Sequence, residues 1–409
     1  LPCHLPWWRT PLAIVLAGGA VMGLALGVRH ASGIFLLPIA QDHGWTRETL
    51  GFAFALQNLV WGLTQPFVGM VADRRGARPV VFVGLLLYAA GLAGMAWAAT
   101  PFGFTLAAGL AVGTALSCTS FGVIYGALSR LMPLARRGWA LGLAGAAGGL
   151  GQFFLVPVAQ VLIDAIAWGG ALVVMGALCL AALPCALPLV EGDEQGASSA
   201  HAHRQSLGAA LREALGHRGF WLLNLGFFAC GFQLAFIAGH LPSYLLDRGL
   251  PATAAATGLA VIALANVAGT YGCGLLGAAY RRKYLLAGVY LLRAAAMALF
   301  FALPLSEASL YAFCAVMGLL WLGTVPLTNG LVAQVFGVRY LTTLFGCVFL
   351  GHQLGSFLGM WLGGRVYEMT HSYDAVWIAG IGLGLVAALL HLPIDDREIA
   401  RPGLAGAAA

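Results

Sequence analysis

Gly69-Met-Val-Ala-Asp73-Arg74-Arg75-Gly76-Ala77-Arg78 is the stretch on which the reading of the whole chain turns. It sets an acid and three arginines between two apolar runs, approximately 47 to 72 and 79 to 99. A glycine within the charged stretch permits the tight turn of a hairpin. Asp73, where the first run ends, can pair with arginines or with the positive N-terminus of a facing helix. Elsewhere charge is scarce, for 60% of the 409 residues are hydrophobic and only 9% are charged. An ordinary soluble domain carries about 25% charged residues, so this chain cannot coat a water-facing surface. That excludes a soluble enzyme, a disordered chain and a secreted disulfide scaffold. The net charge of +6 is dispersed over short loops instead of forming the basic patch that nucleic acid requires.

Outward from the hairpin, apolar runs recur along the chain. A helix needs about 20 apolar residues to cross a bilayer core of about 30 Å. Twelve runs qualify, near 12 to 40, 47 to 72, 79 to 99, 102 to 131, 138 to 166, 168 to 190, 218 to 246, 253 to 279, 283 to 303, 306 to 336, 338 to 368 and 372 to 393. One long polar stretch, Glu191 to Arg218, divides six from six. The expected organisation is an N-terminal half over 1–190, a linker over 191–217, a C-terminal half over 218–394 and a tail over 395–409. His201 and His203 in the linker lack a third ligand and predict no metal site. The eight cysteines show no CxxC pair and read as small core residues. The first run extends far beyond a signal-peptide core and reads as a retained helix.

The halves repeat. Pro38 and Pro242 lie 204 residues apart, as do Leu150-Gly151 and Leu354-Gly355, while Gly69 and Gly274 lie 205 apart. A common offset from three places indicates duplication, a feature of transporter folds. Basic residues favour cytoplasmic loops. With an inside N-terminus, sixteen fall in cytoplasmic segments and three outside, with Arg29 and Arg293 left within spans. This predicts a multi-pass protein of the cell (inner) membrane with both termini in the cytoplasm.

Gly69 to Arg78 resembles the GxxxDRxGxR motif of the major facilitator superfamily, in the loop between the same two spans. The resemblance covers the chain and implies an all-α membrane protein of twelve transmembrane helices in two six-helix pseudo-repeat halves, the major facilitator fold. It implies a conformational gate at Gly69, Asp73, Arg74, Gly76 and Arg78. Ala278 stands where the second half would repeat the acid, which predicts a weaker gate there. Arg29 to Pro38, followed by Gly44-Trp45-Thr46-Arg47, is similar to the bacterial monocarboxylate and oxalate/formate type of porter. Such porters often carry an arginine in the eighth span, where this chain has Asn266 and no charge. Gly145 to Gly151 lacks the proline usual in the fifth span of drug/proton antiporters.

Polar residues in the hydrocarbon region tend to face the bundle interior and a pathway. Arg29, Asn58, Gln152, Gln233, Asn266, His352 and Gln353 all lie near span midpoints and are candidate substrate-binding residues, with His30 beside Arg29. Tyr125 and Trp321 are candidates to shape the pocket. Every acid lies at a helix end, in a loop or in a tail, so no carboxylate stands at mid-span. A buried guanidinium without an acid is costly, and its planar fork matches a carboxylate. The expected function is therefore secondary active transport of a small, monocarboxylate-like organic anion by alternating access. Arg29 is the main anchor, and His30 or His352 is available to a coupled proton. Arg293, in the peripheral ninth span, is expected to have a structural partner. No cofactor is expected, the lipid bilayer is the setting, and a monomer is expected to suffice. The competing readings are an exporter of drugs or neutral solutes on the same fold, and a non-transporting receptor. The sequence has no HExxH, GxSxG or GxxxxGK segment that would indicate an enzyme.

Overall fold

Each apolar run folds into a helix whose ends are marked by local chemistry. In the computed structural model, which describes residues 8, 10–45, 47–191 and 205–399, α1 spans Pro11–His43. Thr10 Oγ1 accepts a hydrogen bond from Ala13 N at 3.3 Å to start it, and Gly44, at φ +68°, ends it. α2 (Arg47–Arg75) and α3 (Ala77–Ala96) are separated by Gly76 alone, at φ +82°, a conformation that disfavours a side chain. α4 (Pro101–Leu131) is broken at Ser120, and α5 (Leu134–Ala181) turns at Ile166 and Ala167, where the backbone leaves the helical region. A 3₁₀ turn, Leu183–Leu189, and a short linker helix, α6 (Leu207–Gly216), lead into the second half. That half comprises α7 (Arg218–Asp247), α8 (Ala252–Ala279), α9 (Arg282–Ala302), α10 (Glu307–Phe336), α11 (Leu341–Thr370) and α12 (Asp374–His391). The described residues contain no strand. His201 and His203 lie outside them.

Among the described residues, ten helical stretches are long and apolar enough to cross a membrane. The stretch containing α5 reverses at Ala167 and so makes two crossings, its turn falling between the runs expected at 138 to 166 and 168 to 190. α2 has the length but not the hydropathy, because Gln57, Asn58, Thr64 and Gln65 dilute it. With these two counted, the crossings number twelve. The polar residues of α2 have a structural use. α4 contains a π-helical segment, Leu106–Ala111, followed by the break at Ser120. Irregular backbone at membrane depth must be satisfied inside the protein. Gln57 Nε2 donates to Ala108 O at 3.0 Å, Gln65 Nε2 donates to Ser117 O at 3.2 Å, and Trp61 Nε1 donates to Ser120 Oγ at 3.1 Å.

Within the first set of helices α1 and α3 lie against α5, and within the second α7 packs on α11 and α12 while α9 packs on α12. The two sets meet along α2–α11 and α5–α8, with smaller contacts from α4 to α10 and α11. Small residues allow close approach along α5–α8, where a Cβ placed on Gly274 would lie 2.5 Å from Gly142 Cα.

These seams hold only at one end. Gly69 and Gly51 are eighteen residues apart, five turns at 3.6 residues per turn, and so share one face of α2. A Cβ on Gly69 would come within 2.6 Å of Thr342 O on α11, whereas one on Gly51 would meet nothing within 4 Å. α2 and α11 are therefore pressed together at the basic end, beside Asp73, and part toward the other end. Contacts between the sets run from Asn58–Gln353 and Gly149–Asn266 at mid-span to the basic end. The result is a cleft that opens away from the basic end and has its floor at mid-span.

Candidate functional site

Arg29 reaches from α1 to α2 at the floor of this cleft. Its Nε donates to Asn58 Oδ1 at 3.2 Å, Nη2 donates to the same oxygen, and the guanidinium lies 5.1 Å from the centroid of the Trp61 ring. Among the described residues no carboxylate stands within ion-pair distance of it. A guanidinium has five N–H donors, so one amide oxygen leaves most of its capacity unused. Asn58 is fixed from behind, as its Nδ2 donates to Phe54 O at 3.1 Å. Its own carbonyl accepts from Gln353 Nε2 at 3.2 Å, and Gln353 Oε1 pairs with His352 Nδ1 at 3.1 Å. Arg29, Asn58, Gln353 and His352 thus form one polar chain across the two halves. Aromatic rings lie beneath it, with Trp61 5.0 Å from Phe349 and His352 stacked on Phe349 at 5.3 Å. His30 follows Arg29 on α1 and is exposed.

A second group gathers where α10 breaks. Asn266 Oδ1 accepts from Leu322 N at 3.1 Å and from Thr270 Oγ1 at 2.8 Å, which caps the interrupted backbone next to Trp321. Arg293 serves the same break from α9. It is fully buried and donates to the carbonyls of Leu320 and Trp321, and its Nη1 lies 3.1 Å from Cys230 Sγ. Tyr125 is buried against Gly145 with its hydroxyl unpartnered, and Gln152 is buried on α5 one turn beyond the Gly149–Asn266 contact. Gln233 turns elsewhere, with Nε2 donating to Gly380 O on α12 at 2.9 Å. The structure therefore joins Arg29, Asn58, His352 and Gln353, sets Tyr125, Gln152, Asn266 and Trp321 at a neighbouring seam, and places Gln233 in neither group.

At the basic end Asp73 caps a helix of the opposite half. Its Oδ2 accepts from Thr343 N and Thr343 Oγ1, both at 2.7 Å, and its Oδ1 accepts from Thr342 N at 3.2 Å. These amides open α11, where N–H groups have no partner within the helix and the helix dipole favours an anion. Arg130 Nη1 donates to Asp73 Oδ1 at 2.8 Å and to Thr342 Oγ1 at 3.1 Å. Its Nε and Nη2 hold Glu191 as a fork at 2.8 and 2.9 Å. Gly69 permits the close approach and Gly76 the turn, while Arg74 and Arg78 lie exposed, apart from this network.

Sequence reasoning treated Arg130 as a topology charge and Glu191 as the start of a linker, and it passed over Trp61, Thr342 and Thr343. The duplication carried a signal for the first two. Gln334 and Asp396 follow Arg130 and Glu191 by 204 and 205 residues, and they meet at the same place in the second half. There Gln334 Nε2 donates to Asp396 O at 2.7 Å, and Arg281 Nε donates to Asp396 Oδ2 at 3.0 Å.

Comparison with known proteins agrees with this architecture. The chain is 28% identical over 390 residues to human monocarboxylate transporter 11, covering 93% of this chain and 82% of that protein. It is 26% identical over 384 residues to the probable sulfoacetate transporter SauU of Cupriavidus necator, covering 87% and 88%. Its fold matches the outward conformation of the transporter FucP with a TM-score of 0.72 at 17% identity, over 94% of this chain and 99% of that one. A secondary transporter, and no enzyme, accounts for the fold and the relatives alike. The profile of the Major Facilitator Superfamily matches residues 15–346, and the chain belongs to that family.

Proposed function

We propose that this transporter carries a small, monocarboxylate-like organic anion across the cytoplasmic membrane, with Arg29 as its anchor. One observation carries the reading: among the described residues, the mid-span cation of the cleft is met by an amide oxygen and an aromatic ring and by no carboxylate. A desolvated guanidinium without an acid costs several kcal/mol, which a bound carboxylate offsets through two parallel charge-assisted hydrogen bonds. The resemblance to transporters named for monocarboxylates and for sulfoacetate, a small anion, supports the same charge class. The bias of basic residues supports a cytoplasmic Asp73 end, with the cleft facing outward. An anion entering from outside meets Arg29 while Asp73, Arg130 and Glu191 hold the inner end shut. Rocking of the halves then breaks the Asp73 cap on α11 and opens the opposite side. His30 beside Arg29 and His352 at the end of the polar chain can each take a proton that enters with the anion, giving symport.

Counterflow in proteoliposomes tests this reading, using labelled monocarboxylates, dicarboxylates and neutral analogues across a range of pH. Saturable exchange of monocarboxylates, faster on the acid side, is the expected result. Exchange confined to neutral compounds would overturn the anion assignment, and anion flux insensitive to an imposed pH gradient would remove the role given to the histidines.

A further inference from the structure

A cavity of about 1300 Å³ lies between the two halves at the basic end. Its wall comes from the ends of α4, α5, α8, α9, α10 and α11, from the linker helix and from the tail. None of the residues around Arg29 lines it, so it is distinct from the cleft. Five arginines line it, Arg137 from the first half and Arg281, Arg282, Arg339 and Arg397 from the second. Arg137, on α5, has one hydrogen bond, from Nε to Met132 O at 3.3 Å. Arg282 begins α9, and its Nη1 donates to Gln334 Oε1 at 2.6 Å. Neither has an ion-pair partner among the described residues, and their charges repel across the cavity. Of the acids on the wall, Asp396 is bonded to Arg281, while Glu213 and Glu398 come from the linker helix and the tail.

Like charges on two bodies that close against each other oppose the closure. An anion between them reverses the sign of that contribution, because each guanidinium then has a partner. We propose that this cavity is a second anion site, in which one small oxyanion bridges Arg137 and Arg282 and holds the basic end closed. The inference rests on the geometry of the closed end and not on the anion reading of the Arg29 cleft. The arginines part when the halves separate there, so the occupant binds the closed state more tightly and shifts the population toward it. Such an anion, present on that side of the membrane, slows opening and therefore turnover.

The test uses the purified full chain, titrated with inorganic phosphate or with malonate at an ionic strength held constant with chloride, with thermal unfolding as the readout. The stability of the wild type is expected to rise saturably. Arg137→Gln and Arg282→Gln each remove charge-assisted hydrogen bonds and should weaken the response about tenfold or more, while Arg29→Gln keeps it. A response to phosphate alone would assign the site to phosphate-type anions, and a response to both would assign it to dianionic oxyanions in general. An equal effect in every variant, an effect matched by chloride, or a loss confined to Arg29→Gln would overturn the proposal. A second measurement needs no variant. Phosphate should slow hydrogen exchange at the Thr342 and Thr343 amides, which the closed end protects, and unchanged exchange contradicts the proposal.

Discussion

A single side chain, Arg29, gives the cleft its sign, and a second one shows what a buried arginine does when its role is structural. Arg293 directs its donors to the carbonyls of Leu320 and Trp321, which the break in α10 would otherwise leave unpaired within the membrane. Replacing it by alanine strands those carbonyls at about 1–3 kcal/mol each. Arg293→Ala should therefore lower the unfolding temperature markedly, with Arg293→Lys recovering part of the loss, and thermal denaturation in detergent would show it. Both arginines were visible in the sequence as charges at membrane depth. What distinguishes them was not, because it depends on which backbone lies within reach. The carbonyls of Leu320 and Trp321 are free only because α10 breaks, and nothing in Gly318 to Thr324 announces where.

Between helices, the decisive contact is Asp73 on the N-terminus of α11. Asp73→Asn keeps the shape but removes the charge, weakening hydrogen bonds worth about 1.5–3 kcal/mol as charge-assisted contacts. At 1.4 kcal/mol per tenfold change, the closed basic end should lose about ten- to a hundredfold in relative population. Faster hydrogen exchange at Thr342 and Thr343 in the variant would register that shift, and exchange equal to that of the wild type would count against it. The tail makes a comparable contact in the second half. Arg281, hydrogen-bonded to Asp396, holds that carboxyl below the usual carboxylate range. A depressed carboxylate pKa contributes stability above the ordinary value of about 4, and the contribution is lost as pH falls through the lower, folded-state value. Docking of residues 394–399, to which Lys283 Nζ adds a bond with Ile394 O at 2.7 Å, should thus be constant from about pH 5 to 8 and loosen only in stronger acid. Limited proteolysis of the tail across pH provides the check. The Asp73 end of this network was legible as a motif. Arg130 and Glu191 were not, since they lie about 60 residues apart in sequence and are joined only by helix packing.

For the whole molecule, twelve crossings, the division near residue 200 and the duplication follow from apolar run lengths and a repeated offset. The state of the cleft does not, because it depends on where two helices touch and where they part. Gly69→Leu would force a side chain into Thr342 and should hold the basic end open, while Gly51→Leu should be accommodated in the cleft-open state. Cysteine-labelling rates at the two ends of α2 would report opposite changes for the first variant and little change for the second. The same distinction limits what sequence could say of the site. Depth grouped Arg29, Asn58, Gln233, His352 and Gln353 together, but helix rotation sent Gln233 to α12 and brought Trp61 under Arg29. The central claim remains that an anion is held at mid-membrane by one arginine. Its most direct test is exchange of a labelled monocarboxylate by wild type, Arg29→Lys and Arg29→Gln in the same proteoliposomes at one pH. Loss of about 1.5–3 kcal/mol of binding should weaken apparent affinity about ten- to a hundredfold in Arg29→Gln, with Arg29→Lys between the two. Unchanged affinity in Arg29→Gln would contradict the account.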